Sequence, residues 1–353
     1  MKQQFTIQAI SDCTIEYEGT VEYSIDNGNT WNTLSHLFLP AANEAQFRNA
    51  QSKGNDSFVI KGYFNVYGHI STLAPNGTEA FKWMFRQANV VEASNLILDF
   101  DELWPLAYYG MFAGCSSLTA EPELAATTLA ENCYTCMFYD CMSLTTASEL
   151  PATTLANSCY SSMFQGCTSL TTAPSILPAT TLTDCCYQCM FSGCRSLTTA
   201  PELPATELAD CCYSYMFNGC TSLTTAPVLP ATTLARGCYS YMFEGCTSLT
   251  TVPELPATIL ADYCYGCMFS GCTSLTTAPE LPATTLAPFC YGGMFYGCEN
   301  LTAAPTLLAV SIKENSYYNM FIGCKSLKKR PVMPKTAYLE AVKIDFIPSE
   351  LVK

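Results

Sequence analysis

A Met-Phe pair recurs through this chain at a nearly constant interval, its methionine falling at 84, 111, 137, 163, 190, 216, 242, 268, 294 and 320. The interval is 26 residues except for two steps of 27. A period of that length predicts a solenoid, because a unit so short cannot enclose a core alone and must bury its apolar face against its neighbours. The chain has 353 residues, room for one small domain followed by an array of about ten such units.

A representative unit runs from Leu260 to Thr284. Cys264, Tyr265, Met268, Phe269 and Cys272 stand at relative positions 0, 1, 4, 5 and 8, a spacing that predicts the buried face of one short helix per unit. Glycine follows three residues after the methionine in eight units, with Asp140 in its place once, where a left-handed residue would stop that helix. Leu275, Ala278 and Leu281 then predict one short strand per unit, stacked on its neighbours into a parallel sheet, with proline confined to the strand ends.

Residues 1–73 follow a different pattern. Alternating runs at Phe5–Ile10, Val21–Ile25, Gln46–Arg48 and Phe58–Lys61, separated by Asn, Gly and Asp clusters, predict a small all-β, sandwich-like domain. Within it Ser24, Asp26, Gly28, Thr30 and Trp31 resemble the Asp-box hairpin of sialidase propellers, a structural turn rather than a catalytic element. Residues 74–110 hold Trp83, Met84 and Phe85 without the usual Gly-Cys, and are expected to form an N-terminal cap with a degenerate first repeat. The array itself is expected over 111–334 and a C-terminal cap over 335–353.

Composition narrows the partners. With 49% hydrophobic and only 13% charged residues the chain is expected to fold almost throughout. The net charge is −14, and between Trp104 and Cys324 only Arg195, Arg236 and Lys313 oppose fifteen carboxylates. That leaves no basic stripe for nucleic acid. Positive charge collects at the other end, in Lys325, Lys328, Lys329, Arg330, Lys335, Lys343 and Lys353. No run approaches the roughly 20 apolar residues of a membrane helix, and the start has no hydrophobic signal core, so neither membrane insertion nor export by a signal peptide is expected of the chain as it stands.

The unit Met-Phe-x-Gly-Cys-Thr-Ser-Leu, repeated with small changes over about residues 80–334, resembles the BspA-like leucine-rich repeats of bacterial surface proteins. The resemblance implies a right-handed leucine-rich-repeat solenoid and a role in adhesion or recognition on a bacterial cell or a phage virion. The absent leader departs from secreted members and keeps a cytoplasmic location open.

Other constellations carry less. Sixteen of the 22 cysteines fall in two columns, four residues before and four after the methionine, which points to packing. The pairs Cys133/Cys136, Cys186/Cys189 and Cys264/Cys267 have zinc-like spacing, but their second position becomes Ser162, Tyr215, Tyr241, Gly293 or Asn319 in other units, so no metal is expected. His36 and His69 are the only histidines, and there is no paired-carboxylate, phosphate-loop or nucleophile motif. No cofactor and no enzymatic activity are expected. The tyrosines three before the methionine, Tyr108 to Tyr317, are expected in the core. Recognition is expected at positions that vary between near-identical units: an acidic strip of Glu123, Glu149, Glu202, Glu254 and Glu280, with Tyr215 and Tyr241 as anchors on the adjacent rim. The partners so implied are a protein or glycan on a cell surface, or alternatively other copies or virion components in an assembly role, or intracellular proteins held by a scaffold.

Overall fold

The computed structural model describes residues 3–17, 20–51, 58–73, 81–100, 103–329 and 331–334. Arg330, residues 74–80 of the expected N-terminal cap and the expected C-terminal cap at 335–353 lie outside the described residues. The chain divides into two compact units, Met1–Thr154 with Cys159–Pro174, and Leu155–Ser158 with Ser175–Lys353.

The first unit begins with β1 (Phe5–Ala9), β2 (Cys13–Tyr17), β3 (Thr20–Ser24), β4 (Asn32–Thr33), β5 (Leu37–Leu39), β6 (Glu44–Gln51), β7 (Phe58–Lys61) and β8 (Phe64–His69), followed by β9 (Val90–Glu92) and β10 (Leu96–Ile97). One sheet has the order β10-β8-β1-β6-β3-β4, with β9 also on β8, and a second has the order β5-β2-β7. Alternation is clear in β8, where Phe64 and Val66 are buried and Asn65 and Tyr67 less so, whereas Phe5, Thr6 and Ile7 of β1 are all buried. Phe58 of the second sheet packs on Phe5 and Phe47 of the first at 6.1 and 5.2 Å between ring centroids. Phe85, from the degenerate first repeat, completes the cluster against Phe5, Phe58 and Phe64 at 6.1, 5.9 and 6.1 Å. It also stacks on Phe112 at 5.5 Å, so the β strands and the first coils share one core.

The repeats differ from expectation in one decisive way: no α-helix forms among the described residues. The Met-Phe segment is a ribbon of overlapping turns. In the second unit Cys211, Tyr213, Tyr215, Phe217 and Gly219 donate their amides to Arg236, Cys238, Ser240, Met242 and Glu244 of the next coil, at 2.7–3.0 Å. The residues between them, Cys212, Ser214, Met216, Asn218 and Cys220, donate three residues back within their own coil, at 3.0–3.3 Å. Every fourth residue is left-handed, at Cys211 (φ 55), Tyr215 (φ 57) and Gly219 (φ 71), and again at Gly237, Tyr241 and Gly245. The first unit repeats this at Asn132, Cys136 and Asp140, and the degenerate repeat at Trp83 and Gln87. A spacing of 0, 1, 4, 5, 8 is therefore the repeat of a four-residue turn ribbon. It imitates a helical face because 3.6 and 4 are hard to distinguish over nine residues. Tyr, Cys, Ser, Asn and Gly are also poor helix formers, and a segment this short has little intrinsic helicity to defend.

The expected strands are reduced in the same way to isolated parallel bridges. Thr128 pairs with Thr154 and Thr146 with Thr172 in the first unit; Thr225 with Thr251, Thr277 with Ala303 and Leu281 with Leu307 are examples from the second. Two prolines per extended segment, such as Pro227 with Pro230 and Pro253 with Pro256, remove the donors that a continuous ladder would need.

Identical side chains stack along each unit. Tyr187, Tyr213, Tyr239, Tyr265, Tyr291 and Tyr317 carry parallel rings 5.7–5.9 Å apart where pairs are resolved, and Phe191 to Phe321 do so at 5.6–5.8 Å. Coils about 4.8 Å apart with a lateral slip give such offset stacks. The cysteines after the methionine add a hydrogen bond: Cys246 Sγ donates to the carbonyl of Phe217, Cys272 to Phe243 and Cys298 to Phe269, at 3.0–3.1 Å. Burial pushes the Cys246 thiol from its ordinary value near 9.0 up to about 12, which keeps the donor proton in place.

Three outcomes follow. Phe243→Ala should lower stability by about 3–5 kcal/mol through the cavity it leaves, as measured by urea unfolding. Gly245→Ala should cost about 1–2 kcal/mol, because the left-handed backbone rather than lack of space opposes the methyl. Raised thiol values mean that stability is complete below the unfolded value near 9 and is lost as pH rises toward the folded value near 12. Melting temperature should therefore fall steeply above pH about 9, and a flat profile to pH 11 would contradict the buried thiol columns.

Candidate binding surfaces

All five strip residues, Glu123, Glu149, Glu202, Glu254 and Glu280, are exposed. In the second unit Glu254 and Glu280 occupy adjacent coils and flank an open cleft of 380 Å³, lined also by Val252, Pro253, Leu255, Pro256, Pro279 and Pro282. The prolines fix the backbone and leave a rigid apolar floor beneath two carboxylates. Glu202 is a bridge residue, donating its amide to Ser175 and accepting from Leu177, each at 3.0 Å. Val228, 77% exposed, stands in the strip's column between Glu202 and Glu254 and interrupts the charge.

Tyr215 and Tyr241 occupy the second left-handed column and are half-buried. Their rings stack at 4.4 Å and 4°, so the face each turns to the other is not open to a ligand. Burial pushes both hydroxyls up from their ordinary value. Glu244 lies beside them, its carboxyl also raised by burial and accepting from Asn218 Nδ2 at 2.9 Å. This rim presents ring edges and polar groups rather than a stacking platform. The tyrosines three residues before each methionine, Tyr108 to Tyr317, are at most 2% exposed and belong to the core.

In the N-terminal sheets the Ser-Asp-Gly-Thr-Trp pattern closes the β3–β4 hairpin. Thr30 donates through its hydroxyl to Asp26 Oδ2 at 2.6 Å, Ser24 to Oδ1 at 2.7 Å, and the Thr30 amide to Oδ1 at 2.9 Å. Led by the Thr30 hydroxyl, these bonds hold the Asp26 carboxyl down at about 2. Ser24 Oγ accepts the Gly28 amide, and Trp31 Nε1 donates to the Gly28 carbonyl. Beside this turn a 600 Å³ cleft is lined by Ile25, Asn27, Phe38, Pro40, Asn43 and Gln46, among others, with Ile25 and Phe38 exposed.

His36 meets Glu16 at 3.0 Å on the surface. His69 Nδ1 lies 2.9 Å from Asp99 Oδ2, and the Ser71 hydroxyl donates to that same carboxylate at 2.7 Å. The Ser71 amide also donates to Asp99, so the carboxylate braces the turn after β8. Among the described residues no cluster of three or more His, Cys, Asp or Glu is placed to hold a metal ion. No helix among them is long and apolar enough to cross a membrane.

Sequence reasoning passed over Glu121, which takes the place held by Ala147 one coil on. It is buried, with Oε1 accepting the Ser148 amide and Oε2 without a hydrogen-bond partner. Burial pushes its carboxyl from an ordinary 4.5 up to about 7. The protonated form is the one the fold prefers, so this contribution is complete below pH 4.5 and is lost as pH rises through 7. Glu121→Gln keeps the acceptor without the charge and should raise stability by about 2 kcal/mol at pH 8 while changing little at pH 4. Urea titrations at the two pH values check it.

The model of the BspA-type leucine-rich repeat region matches in six copies, over residues 108–205, 134–276 and 190–328. A leucine-rich repeat protein from Bacteroides ovatus, known from its crystal structure, is similar at 18% identity over 76% of this chain and 84% of that one, with a TM-score of 0.26. No curated protein matches. Since the matched residues cover more than half of a chain whose repeats stack by coil-to-coil amide bonds and columns of Phe, Cys and Leu, it belongs to the BspA-type leucine-rich-repeat family.

Proposed function

We propose that this chain is a non-enzymatic adhesion or receptor-recognition protein, displaying a binding surface on a bacterial cell or a virion to a protein or glycan. Leucine-rich repeats generally serve protein interactions, and BspA-type members are typically surface proteins, which supports the reading. The observation that carries it is the Glu254–Glu280 cleft, where two exposed carboxylates border a rigid proline floor. Stacked like charges on neighbouring coils repel, so folding itself does not favour them. A basic or cation-bridged target would relieve that repulsion, and Tyr215 and Tyr241 would supply polar edges on the rim.

Beads carrying the full-length chain test this by their attachment to cells. Attachment should fall with rising salt, and the combined change Glu202→Gln, Glu254→Gln, Glu280→Gln should weaken it about tenfold while leaving the melting temperature unchanged or slightly higher. Equal attachment by the two proteins would remove the strip from recognition. Beads that attach to no cell surface would remove adhesion.

A further inference from the structure

We propose that Cys185 and Cys211 form a modification site, a dithiol that closes to a disulfide by exchange with a small-molecule disulfide of the glutathione class. Both lie in the first left-handed column of the second unit, one coil apart, at φ 56 and 55. Their amides follow the same ladder, Cys185 to the Asp210 carbonyl and Cys211 to the Arg236 carbonyl, each at 2.9 Å. Equivalent positions on successive coils are about 4.8 Å apart. That separation lies within the Cα–Cα range of a disulfide.

Side-chain direction favours the bond. In the next coil the column holds Gly237, and a Cβ placed there would lie 3.3 Å from Cys211 Sγ, so this thiol leans along the stacking direction. The same lean carries the Cys185 thiol toward Cys211, so that turning the Cys211 side chain back about χ1 brings the two sulfurs together. Both are half-buried, whereas Cys186 and Cys212, their neighbours in the chain, are fully buried. The other half-buried cysteines, Cys136, Cys189 and Cys267, belong to a different column and never occupy adjacent coils. Cysteines of the column after the methionine are closed to a dissolved oxidant and donate to phenylalanine carbonyls. Cys185 and Cys211 are thus the one reachable pair in register among the described residues.

Burial raises both thiols above their ordinary value, so exchange needs the alkaline side of neutrality, and the Arg236 guanidinium beside Cys211 makes Cys211 the first to attack. Cys211 thiolate attacks one sulfur of the small disulfide and expels the first small thiolate, leaving a mixed disulfide. Cys185 then gives up its proton and attacks the Cys211 sulfur, expelling the second. Two protein thiols are oxidised and one small disulfide is reduced to two thiols.

The test uses the native full-length chain with oxidised glutathione at pH 8, followed by peptide mapping in the mass spectrometer. Wild type should lose two hydrogens in mass and yield a Cys185–Cys211 crosslinked peptide that dithiothreitol reopens. Cys185→Ser should instead hold a stable glutathione adduct on Cys211, since the resolving thiol is gone. Serine is accommodated in this column, as Ser158 at φ 55 shows. A wild-type chain that retains glutathione on either cysteine without the crosslink, or that leaves both unreacted while Cys189 and Cys267 react, would overturn the proposal.

Discussion

The amide ladder between coils is the constraint on which the repeat depends. In the ribbon that carries the Met-Phe pair, alternate residues donate to the neighbouring coil and the residues between them donate back into their own turn. Buried amides must find acceptors. With half of them committed to the next coil, no segment can satisfy its backbone alone, and each coil is stable only as part of a stack.

That division of bonds dictates the side chains. The ribbon repeats every four residues, so Cys212, Met216 and Cys220, with Tyr213 and Phe217, all face the interior at 0–1% exposure. It also demands a left-handed residue every fourth position. Glycine meets the demand three residues after the methionine, but Cys, Tyr, Asn and Ser meet it elsewhere and carry strain that the ladder holds in place. Cysteine suits the interior column because it is small, and its thiol proton reaches a phenylalanine carbonyl of the preceding coil. Alanine would fill the space without the bond.

Variation is therefore confined to side chains that do not pack in the core, since the ladder uses only backbone groups. The strip glutamates, Val228 and Thr306 exchange freely because they face solvent, and the stacked pair Tyr215 and Tyr241 replaces the Cys189 and Cys267 of the same column. The recognition and the oxidation proposed above both involve such side chains, whose exchange leaves every coil-to-coil amide bond intact. Glu121 is the counter-example, a buried carboxyl at a position where the next coil has the buried Ala147, and there the fold resists its charge.

Much of this was legible without coordinates. Period, column identity, the buried tyrosines and cysteines, the β strands of the first residues and the Asp-box hairpin all follow from spacing and turn chemistry, because each is a local pattern repeated or a single short motif. The exposure of Glu123, Glu149, Glu202, Glu254 and Glu280 was legible too, since positions that vary amid constancy do not bear packing. The helix was not. A spacing of four satisfies a helix and a turn ribbon equally over nine residues, and the choice belongs to the amides, whose partners lie 25 residues away in the second unit. Pairing across coils likewise decided that the strands shrink to single bridges and that Tyr215 and Tyr241 cover each other's faces. Sequence by itself determined which residues share a column; only the tertiary structure decided what each column touches, because contact depends on the direction of bonds that no linear spacing records.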